Sequence, residues 1–327
     1  MIKERFRKFI MKQLRRCCLV FNMIFYDVDI IFMSEFFVKN KLSQLATTVI
    51  VGCLVFFDLF FIDKKYVNKE DFVSAREVDM YYQPTIADMQ ILQDKSIYRV
   101  FEVEPSLTSA RASYFHKSIS GYSAVKPRHM QELFDYQIAK NNRNVLNLLN
   151  VKYLIQTDEK DGKPFAVKND QALGNAWFIS KLEKVNSPDD EIKRIGTLDA
   201  KNVALVSQDV KNKIFTKDST ATIKVEKYLP NYIKYSSNNK NNGFAVFSEM
   251  YYHKGWNAYI DGNLSKTPIL QVDYALRGLE IPAGKHAIEF KFEPQVVKTG
   301  AIITLISSLL MLVVIGLAIF KSVKKNN

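Results

Sequence analysis

GAIITLISSLLMLVVIGLAIF, residues 300–320, decides the fold class, because this stretch contains no charged side chain. Lys298 precedes it, and Lys321, Lys324 and Lys325 follow it. An α-helix needs about 20 apolar residues to cross a bilayer, so a run of this length indicates a membrane span rather than a buried core helix. We therefore predict a transmembrane helix over residues 298–320 and a basic tail over residues 321–327.

A second apolar run, LSQLATTVIVGCLVFFDLFFI, occupies residues 42–62 and carries one acid, Asp58, near its far end. An acid one turn from the bilayer interface costs much less than an acid at the bilayer centre. The run therefore predicts a second transmembrane helix.

Basic residues flank both predicted spans. Residues 1–41 hold nine Lys or Arg against four acids, and the tail adds three Lys. The positive-inside rule then places both termini in the cytoplasm and residues 63–299 outside the membrane. Within residues 1–41 an apolar stretch is interrupted by Asn22, Asp27 and Asp29, which fits an interfacial segment or the remnant of a lost span.

Composition excludes several classes of function. The formal charge of +12 lies mostly in the two basic flanks, so nucleic acid is not an expected partner. Cys17, Cys18 and Cys53 all lie outside the large outer segment, which therefore cannot be a disulfide framework. The four histidines have no metal-site spacing, and the sequence has neither a nucleotide-binding glycine loop nor a hydrolase nucleophile motif. We expect no metal, no cofactor and no catalytic residue.

The outer segment divides by pattern into two modules. Residues 63–200 alternate helix and strand signals, which predicts a mixed α/β module. Helices are predicted after Pro84, after Pro127, over NVLNLLN and after Ser187, and strands over SIYRVFEV, VKYLIQT and AWFISKLEKV.

From residue 201 to residue 297 the helix signals disappear. Pro282–Lys285 should form the last turn, and Pro294 should end the sheet. The predicted fold is thus a membrane-anchored α+β protein, in which two transmembrane helices flank an extracytoplasmic mixed α/β module and a β-sandwich or jelly-roll-like module. Seven short β-type runs support the second module, namely VALVS, ATIKVEKY, NYIKYSS, FAVFSEMYY, NAYIDG, ALRGLEI and HAIEFKFE.

Two stretches could contact a ligand. The first, residues 113–137, concentrates donors that could hold a phosphate or sugar hydroxyls; the alternative is an ordinary helix start whose polar residues face water. The second, FSEMYYHKGWNAY at residues 247–259, contains five aromatics that could stack on sugar rings; the alternative is packing between two sheets. The candidate ligand-contacting residues are Tyr114, His116, Lys117, Arg128, His129, Tyr252 and Trp256.

The order of these motifs resembles the C-terminal part of the YfhO-like family of bacterial membrane proteins. The resemblance covers roughly residues 42–327 and includes YYQPTIADMQIL, SYFHKSISGYSAVKPRHMQEL, ALGNAWFI, GWNAYIDG and IPAGKHAIEFKFEP. It implies a multi-spanning protein with a glycosyltransferase-C-like architecture that transfers sugars from a polyprenyl-phosphate donor to cell-envelope acceptors. Full-length members carry many earlier spans and an acid in an early outer loop, and no residue here corresponds to that acid. The chain therefore resembles a member truncated at its N-terminus, or the product of a split reading frame.

Two functions follow as hypotheses. The resemblance implies a part in envelope glycosylation at the bacterial cytoplasmic membrane. The chain would not be catalytic alone, so a polytopic membrane partner would supply the missing spans. The rival is a non-enzymatic, membrane-anchored envelope protein that binds carbohydrate or assists assembly. The expected partners are the lipid bilayer and an envelope glycan or polyprenyl-phosphate sugar.

Overall fold

The computed structural model describes residues 43–104 and 106–326. The chain divides into two units after Tyr81. The predicted basic segment 1–41 and the first residue of the predicted second span lie outside the described residues.

The elements are numbered along the described part of the chain. The helices are α1 Gln44–Tyr66, α2 Ala75–Tyr81, α3 Ile86–Ile91, α4 Ala110–Phe115, α5 Arg128–Tyr136, α6 Arg143–Leu148, α7 Pro188–Arg194 and α8 Gln295–Asn326. The strands are β1 Arg99–Glu102, β2 Val151–Thr157, β3 Pro164–Lys168, β4 Ala176–Ile179, β5 Lys181–Lys184, β6 Val203–Val206, β7 Lys213–Ile214, β8 Thr222–Leu229, β9 Tyr232–Asn239, β10 Gly243–Met250, β11 Trp256–Ile260, β12 Asn263–Leu264, β13 Leu270–Val272, β14 Leu276–Ile281 and β15 Gly284–Phe292.

The first unit contains α1, a helix of 23 residues that covers most of the predicted second span. Its start is fixed by Ser43, whose hydroxyl accepts from the Ala46 N–H at 3.2 Å. Phe56 and Phe60, one turn apart, stack with their ring centroids 6.2 Å apart. The helix confirms the local structure, while its crossing of a membrane stays a prediction.

The C-terminal helix α8 carries the strongest membrane signal. Within the residues that the structure describes, the stretch Gln295–Leu317 is the one helical segment long and apolar enough to cross a bilayer, with a mean hydropathy of 2.6 and no buried residue. This agrees with the span predicted at residues 298–320. The helix follows β15 after only two residues, Glu293 and Pro294, so the sheet leads directly into it.

The first part of the second unit is a layer of helices on a three-stranded sheet. The sheet has the order β1-β2-β3, with β1 parallel to β2 and β3 antiparallel to β2. Helix α3 begins at the predicted place, and Thr85 and Asp88 form a capping box there. The predicted helices α5, α6 and α7 and the strand β2 are also confirmed.

The second part is a sandwich of two sheets, as predicted. One sheet has the order β13-β14-β10-β4 and the other β12-β11-β15-β9-β8. Their inner faces pack together, because alternate residues of each strand point inward. The fully or nearly buried residues of this core are Phe178, Ile233, Tyr235, Ala245, Phe247, Ala258, Leu279, Ile281, Ile288 and Phe290.

Strand β10 is buried on both faces. Ala245 and Phe247 face the sandwich core, whereas Phe244 and Val246 join a second core beneath the helices. Every residue from Gly243 to Glu249 is buried. The strand therefore joins the sandwich to the α/β part.

The run AWFISKLEKV forms two strands, so its prediction as one strand is wrong. Strand β4 pairs with β10, whereas β5 pairs with β6 and β7 in a separate three-stranded sheet. The chain changes sheets at Ser180, where the N–H groups of Ser180 and Lys181 both donate to the Asn202 carbonyl. A strand from before residue 200 thus joins the sandwich, whereas β6, which lies in the run VALVS predicted for the sandwich, pairs with β5 outside it.

Two turns at the end of the sandwich far from α8 are joined by His286. Its Nδ1 contacts Asp261 Oδ2 at 2.6 Å, and its Nε2 contacts the Ala283 carbonyl at 3.1 Å. Because both partners only accept hydrogen bonds, the doubly protonated ring fits this position best. The hydrogen bond to Asp261 accordingly raises the pKa of His286 above its ordinary 6.5.

Replacing His286 by Gln should destabilise the protein in a pH-dependent way. A raised folded-state pKa contributes stability below the unfolded value, and this contribution is lost as the pH rises through the folded value. The thermal midpoint of the purified full chain should fall more at pH 5.5 than at pH 9, two values that bracket the His range at roughly 6.5. His253→Gln, at an exposed position, should show no such trend. Equal losses at both pH values would contradict the paired imidazolium.

Gly278 in β14 cannot accept a side chain. A Cβ there would overlap the ring of Phe244 and lie 3.0 Å from Val272 Cγ1. Gly278→Ala should therefore reduce the free energy of unfolding by about 1–3 kcal/mol, the usual cost of overpacking a core. Gly300→Ala, where a Cβ meets nothing within 4 Å, should have little effect in the same denaturation experiment. Equal stability of the two variants would mean that β10 and β14 are not so closely packed.

Candidate functional site

A buried carboxylate stands at the end of β10 nearest α8. Glu249 Oε1 lies 3.0 Å from Arg99 Nη2, and the Tyr228 hydroxyl lies 3.1 Å from both Glu249 oxygens. Arg99 Nη1 also donates to the carbonyls of Leu149 and Ser248. The guanidinium of Arg99 thus links the start of β1 to β10.

Arg277 is a second guanidinium in the same cluster. Its Nε donates to the Met250 carbonyl at 3.0 Å, and its Cζ lies 4.0 Å from the Trp256 ring centroid. The residue is 4% exposed, and its Nη1 has no hydrogen-bond partner among the described residues. The hydroxyl of Tyr235, fully buried, likewise lacks one. Buried polar atoms without partners are costly, so a bound group or water fits this position.

Lys117 brings a third cation from the first predicted stretch. Its ammonium lies 3.7 Å from the centroid of the Tyr228 ring, a cation–π contact. Burial of the amine lowers its pKa, and nearby Arg99 lowers it further, while Glu249 opposes both. The residue is exposed overall, so the cluster reaches solvent at this point.

We call Arg99, Lys117, Tyr228, Glu249 and Arg277 the cationic cluster. Three cations surround one carboxylate, so the cluster has an excess of positive charge. Burial raises the pKa of Tyr228 to about 12, and Glu249 adds to the shift, so the phenol stays neutral. Burial also lowers the pKa of Arg277, although Glu249 opposes that shift. An anion would relieve the repulsion among the cations.

Beside Trp256 lies a cavity of about 300 Å³, which we call the aromatic cavity. Tyr252, His253 and Trp256 line it together with polar residues such as Ser265 and Thr267. Tyr252 is 51% exposed. Tyr252 and Trp256, the two candidate residues of the second stretch, therefore line the same cavity.

Residues 255–259, which include Trp256 of the aromatic cavity, also fix the start of α8 through hydrogen bonds. The Glu293 carboxylate accepts from Asn257 Nδ2 at 2.9 Å and from the Tyr259 hydroxyl at 2.8 Å. The Glu293 N–H donates to the carbonyl of Gly255, which has φ +93° and no room for a Cβ against Pro294. Strand β11 therefore fixes the point where the chain enters the helix.

His116 lies in the protein interior and not at an accessible surface. Its side chain is 2% exposed, and its Nε2 lies 2.9 Å from Asp88 Oδ1. Arg111 also pairs with Asp88. Burial alone would raise the pKa of this carboxyl, but hydrogen bonds from His116, Thr85 and Arg111 lower it below its usual range. The imidazole is thus held in an internal ion cluster.

The remaining residues of the first stretch lie apart from the cationic cluster. Tyr114 is 65% exposed and contacts the ring of Tyr82 at 4.6 Å. Arg128 is exposed and pairs with Glu132 at 2.7 Å, one turn along α5. His129 packs edge-to-face on Tyr274 at 5.1 Å. Of the seven predicted residues, the structure brings two to the cationic cluster, where Lys117 contacts Tyr228 and Trp256 contacts Arg277.

The sequence reasoning did not identify Arg99, Glu249 or Arg277. Each lies in a short strand rich in apolar residues, and a charge that is mostly buried in such a strand is the signal that could have marked it. Among the described residues, no group of three or more His, Cys, Asp or Glu side chains could hold a metal ion.

Taken together, the sheets, the cationic cluster and α8 define a membrane-associated α+β protein whose β-sandwich leads into an apolar helix. Comparison with protein families gives the closer identification. Residues 192–304, from α7 through the sandwich into α8, match the model of the bacterial membrane protein YfhO. The similarity to this family of bacterial membrane proteins is thus shown for that region of the chain. It matches no curated protein and no solved structure.

Removing the carboxylate should test how the cationic cluster contributes to folding. Glu249→Ala leaves Arg99 and Arg277 without their shared counter-charge. We expect a loss of about 3–5 kcal/mol in the free energy of unfolding, as for other buried pairs that lose one partner. Glu226→Ala removes a partly exposed carboxylate that lies 3.1 Å from Lys234, so it should cost about 0–1 kcal/mol. Chemical denaturation of both variants would contradict this prediction if their losses were equal.

Proposed function

We propose that this chain binds the anionic headgroup of a polyprenyl-phosphate sugar at the outer surface of the bacterial cytoplasmic membrane. In this role it would support sugar transfer to cell-envelope acceptors. The observation that carries the proposal is the place of the cationic cluster. Its charges stand at the end of the sandwich from which α8 leaves, and a lipid in the bilayer can present its phosphate only near that level.

The chemistry of the cluster suits a phosphate. A guanidinium presents a planar fork of donors that matches phosphate oxygens, and an ammonium adds a mobile point charge. Arg277 has a buried donor without a partner, and Lys117 is accessible at the edge of the cluster. Glu249 offsets only one of the three cations. The aromatic cavity beside Trp256 would then receive the sugar ring, since aromatic faces are apolar.

The proposal includes no catalytic residue in this chain. Sugar transfer requires a general base within reach of the acceptor hydroxyl and the donor phosphate. We assign that role to none of the described side chains near the cluster. A polytopic membrane partner would supply it. The proposal also includes a second span at residues 42–62, with both termini in the cytoplasm and the sandwich outside.

A second candidate function is a non-enzymatic envelope protein that binds carbohydrate. The aromatic cavity with Tyr252 at its edge favours it, because stacking on a sugar needs no phosphate. The two functions differ in their partner. Recovery of the chain from mild detergent together with a polytopic membrane protein supports the first function, and recovery without one supports the second.

The headgroup proposal can be tested through the fluorescence of Trp256. The chain has two tryptophans, so Trp177→Phe leaves Trp256, next to Arg277, as the single reporter. The full-length variant would be reconstituted in phosphatidylcholine vesicles that contain either undecaprenyl phosphate or phosphatidylglycerol of equal charge. A third sample would receive free inorganic phosphate. We expect the emission to change with undecaprenyl phosphate and much less in the other two samples.

Adding Lys117→Ala should weaken this response by roughly three- to tenfold in apparent affinity, the effect of one lost charged contact. Lys285→Ala removes the same charge at the opposite end of the sandwich and should leave the response unchanged. An equal response to both anionic lipids, or equal effects of the two Lys variants, would overturn the proposal. A response to free phosphate alone would point to a soluble ligand instead.

A further inference from the structure

We propose that a second cavity, at the end of the sandwich far from α8, binds a neutral, hydroxyl-rich ligand of the size of one sugar ring. We call it the distal cavity. Its volume is about 430 Å³, within the range of small-molecule sites. The start of β10, the β11–β12 hairpin and the β14–β15 turn surround it. Its polar lining includes Asn242, Asp261, Asn263, Lys266, Glu280 and His286.

The charges of the distal cavity are already paired. Asp261 Oδ2 lies 2.6 Å from His286 Nδ1, and Glu280 forms an ion pair with Lys213. Lys266 is exposed at the edge. With its acids neutralised by bases, the cavity has no strong field to attract a phosphate or a metal ion. This separates its ligand from the one proposed for the cationic cluster.

The lining alternates hydrogen-bonding groups with apolar surface. Carboxylates accept from hydroxyl groups, and the amides of Asn242 and Asn263 can both donate and accept. Ile260, Leu264 and Pro282 supply apolar contact between them. Sugars present this combination, because their hydroxyls point outward from a ring whose C–H faces are apolar. A purely apolar ligand would cover the amides of Asn242 and Asn263 without adding hydrogen bonds to them.

The walls of the distal cavity are held in place without a ligand. Asn242 Oδ1 accepts from the Ala283 N–H at 2.8 Å, which fixes the β14–β15 turn. Ser265 Oγ donates to the Thr267 carbonyl at 2.9 Å, and the Ser265 N–H donates to Ala258. A preformed site loses less conformational entropy when it binds.

The distal cavity adjoins the aromatic cavity. Leu264, Ser265 and Thr267 line both of them, so this segment forms the wall that the cavities share. The inference goes beyond the proposed function, since it concerns another cavity and an uncharged ligand. It does not depend on headgroup binding.

The test is saturation-transfer NMR on the purified full chain in detergent. The probes are glucose, galactose and N-acetylglucosamine, with glucose 6-phosphate as the anionic comparison. Asn263→Ala removes a hydrogen-bonding amide from the rim, and Asn263→Ala/Lys266→Ala also removes the edge amine. Asn231→Ala makes the same amide change at an exposed turn near α8 and is the matched control.

We expect at least one neutral sugar to bind, with affinity reduced roughly three- to tenfold by Asn263→Ala and further by the double variant. Asn231→Ala and Lys117→Ala should not change it. The proposal is overturned if no neutral sugar binds, if only glucose 6-phosphate binds, or if Asn263→Ala and Asn231→Ala behave alike. Failure here leaves the lipid result intact, because Lys117 belongs to the cationic cluster and Asn263 lines the distal cavity. An unchanged thermal midpoint for each variant identifies the lost signal as lost binding.

Discussion

Strand β10 is the constraint on which the rest of the second unit depends, because it is buried on both faces. One face must fit the sandwich core and the other the helical core, so both sets of alternating side chains are apolar. Close packing follows from this position. Gly278 on the neighbouring strand leaves room for the Phe244 ring, and a larger residue there would press on Phe244 and Val272 in the core beneath the helices.

The end of β10 explains why charge gathers beside α8. Glu249 is buried, and a buried carboxylate requires counter-charge and hydrogen bonds. Arg99 and Tyr228 provide them from two other strands. Arg277 is a surplus cation, however, since it binds a carbonyl and stacks on Trp256 instead of forming a close ion pair with the carboxylate. A cluster built only to neutralise Glu249 would not need it, which is the structural reason to consider an anionic ligand.

The sequence predicted local structure well and long-range pairing poorly. The helix starts at Thr85 and Ser187 were readable because capping depends on residues three positions apart. The break at Ser180 was not readable, since both halves of the run are strand-like and only their distant partners differ. The contact between Arg99 and Glu249 joins residues 150 positions apart, so no local pattern indicates it.

The two predicted ligand-contact stretches also show that local sequence patterns do not indicate long-range contacts. A dense set of polar residues at positions 113–137 predicted a surface that could bind, yet the structure separates its members. His116 is enclosed because Asp88, in an earlier motif, supplies a buried partner. Lys117, the next residue, points to Tyr228 and the cationic cluster. Adjacent residues have different surroundings because local composition records which groups are present, whereas tertiary packing decides which of them stay accessible.

Strand β11 combines two tasks through its alternation. Trp256 and Ala258 face the sandwich, where Trp256 meets Arg277 and the aromatic cavity. Asn257 and Tyr259 alternate with them and hold the carboxylate of Glu293 at the start of α8. The distance between the aromatic cavity and the root of the helix is therefore fixed by one short strand rather than by a flexible linker. A ligand anchored in the bilayer would meet this cavity at a constant height, which a binding site for a membrane lipid requires.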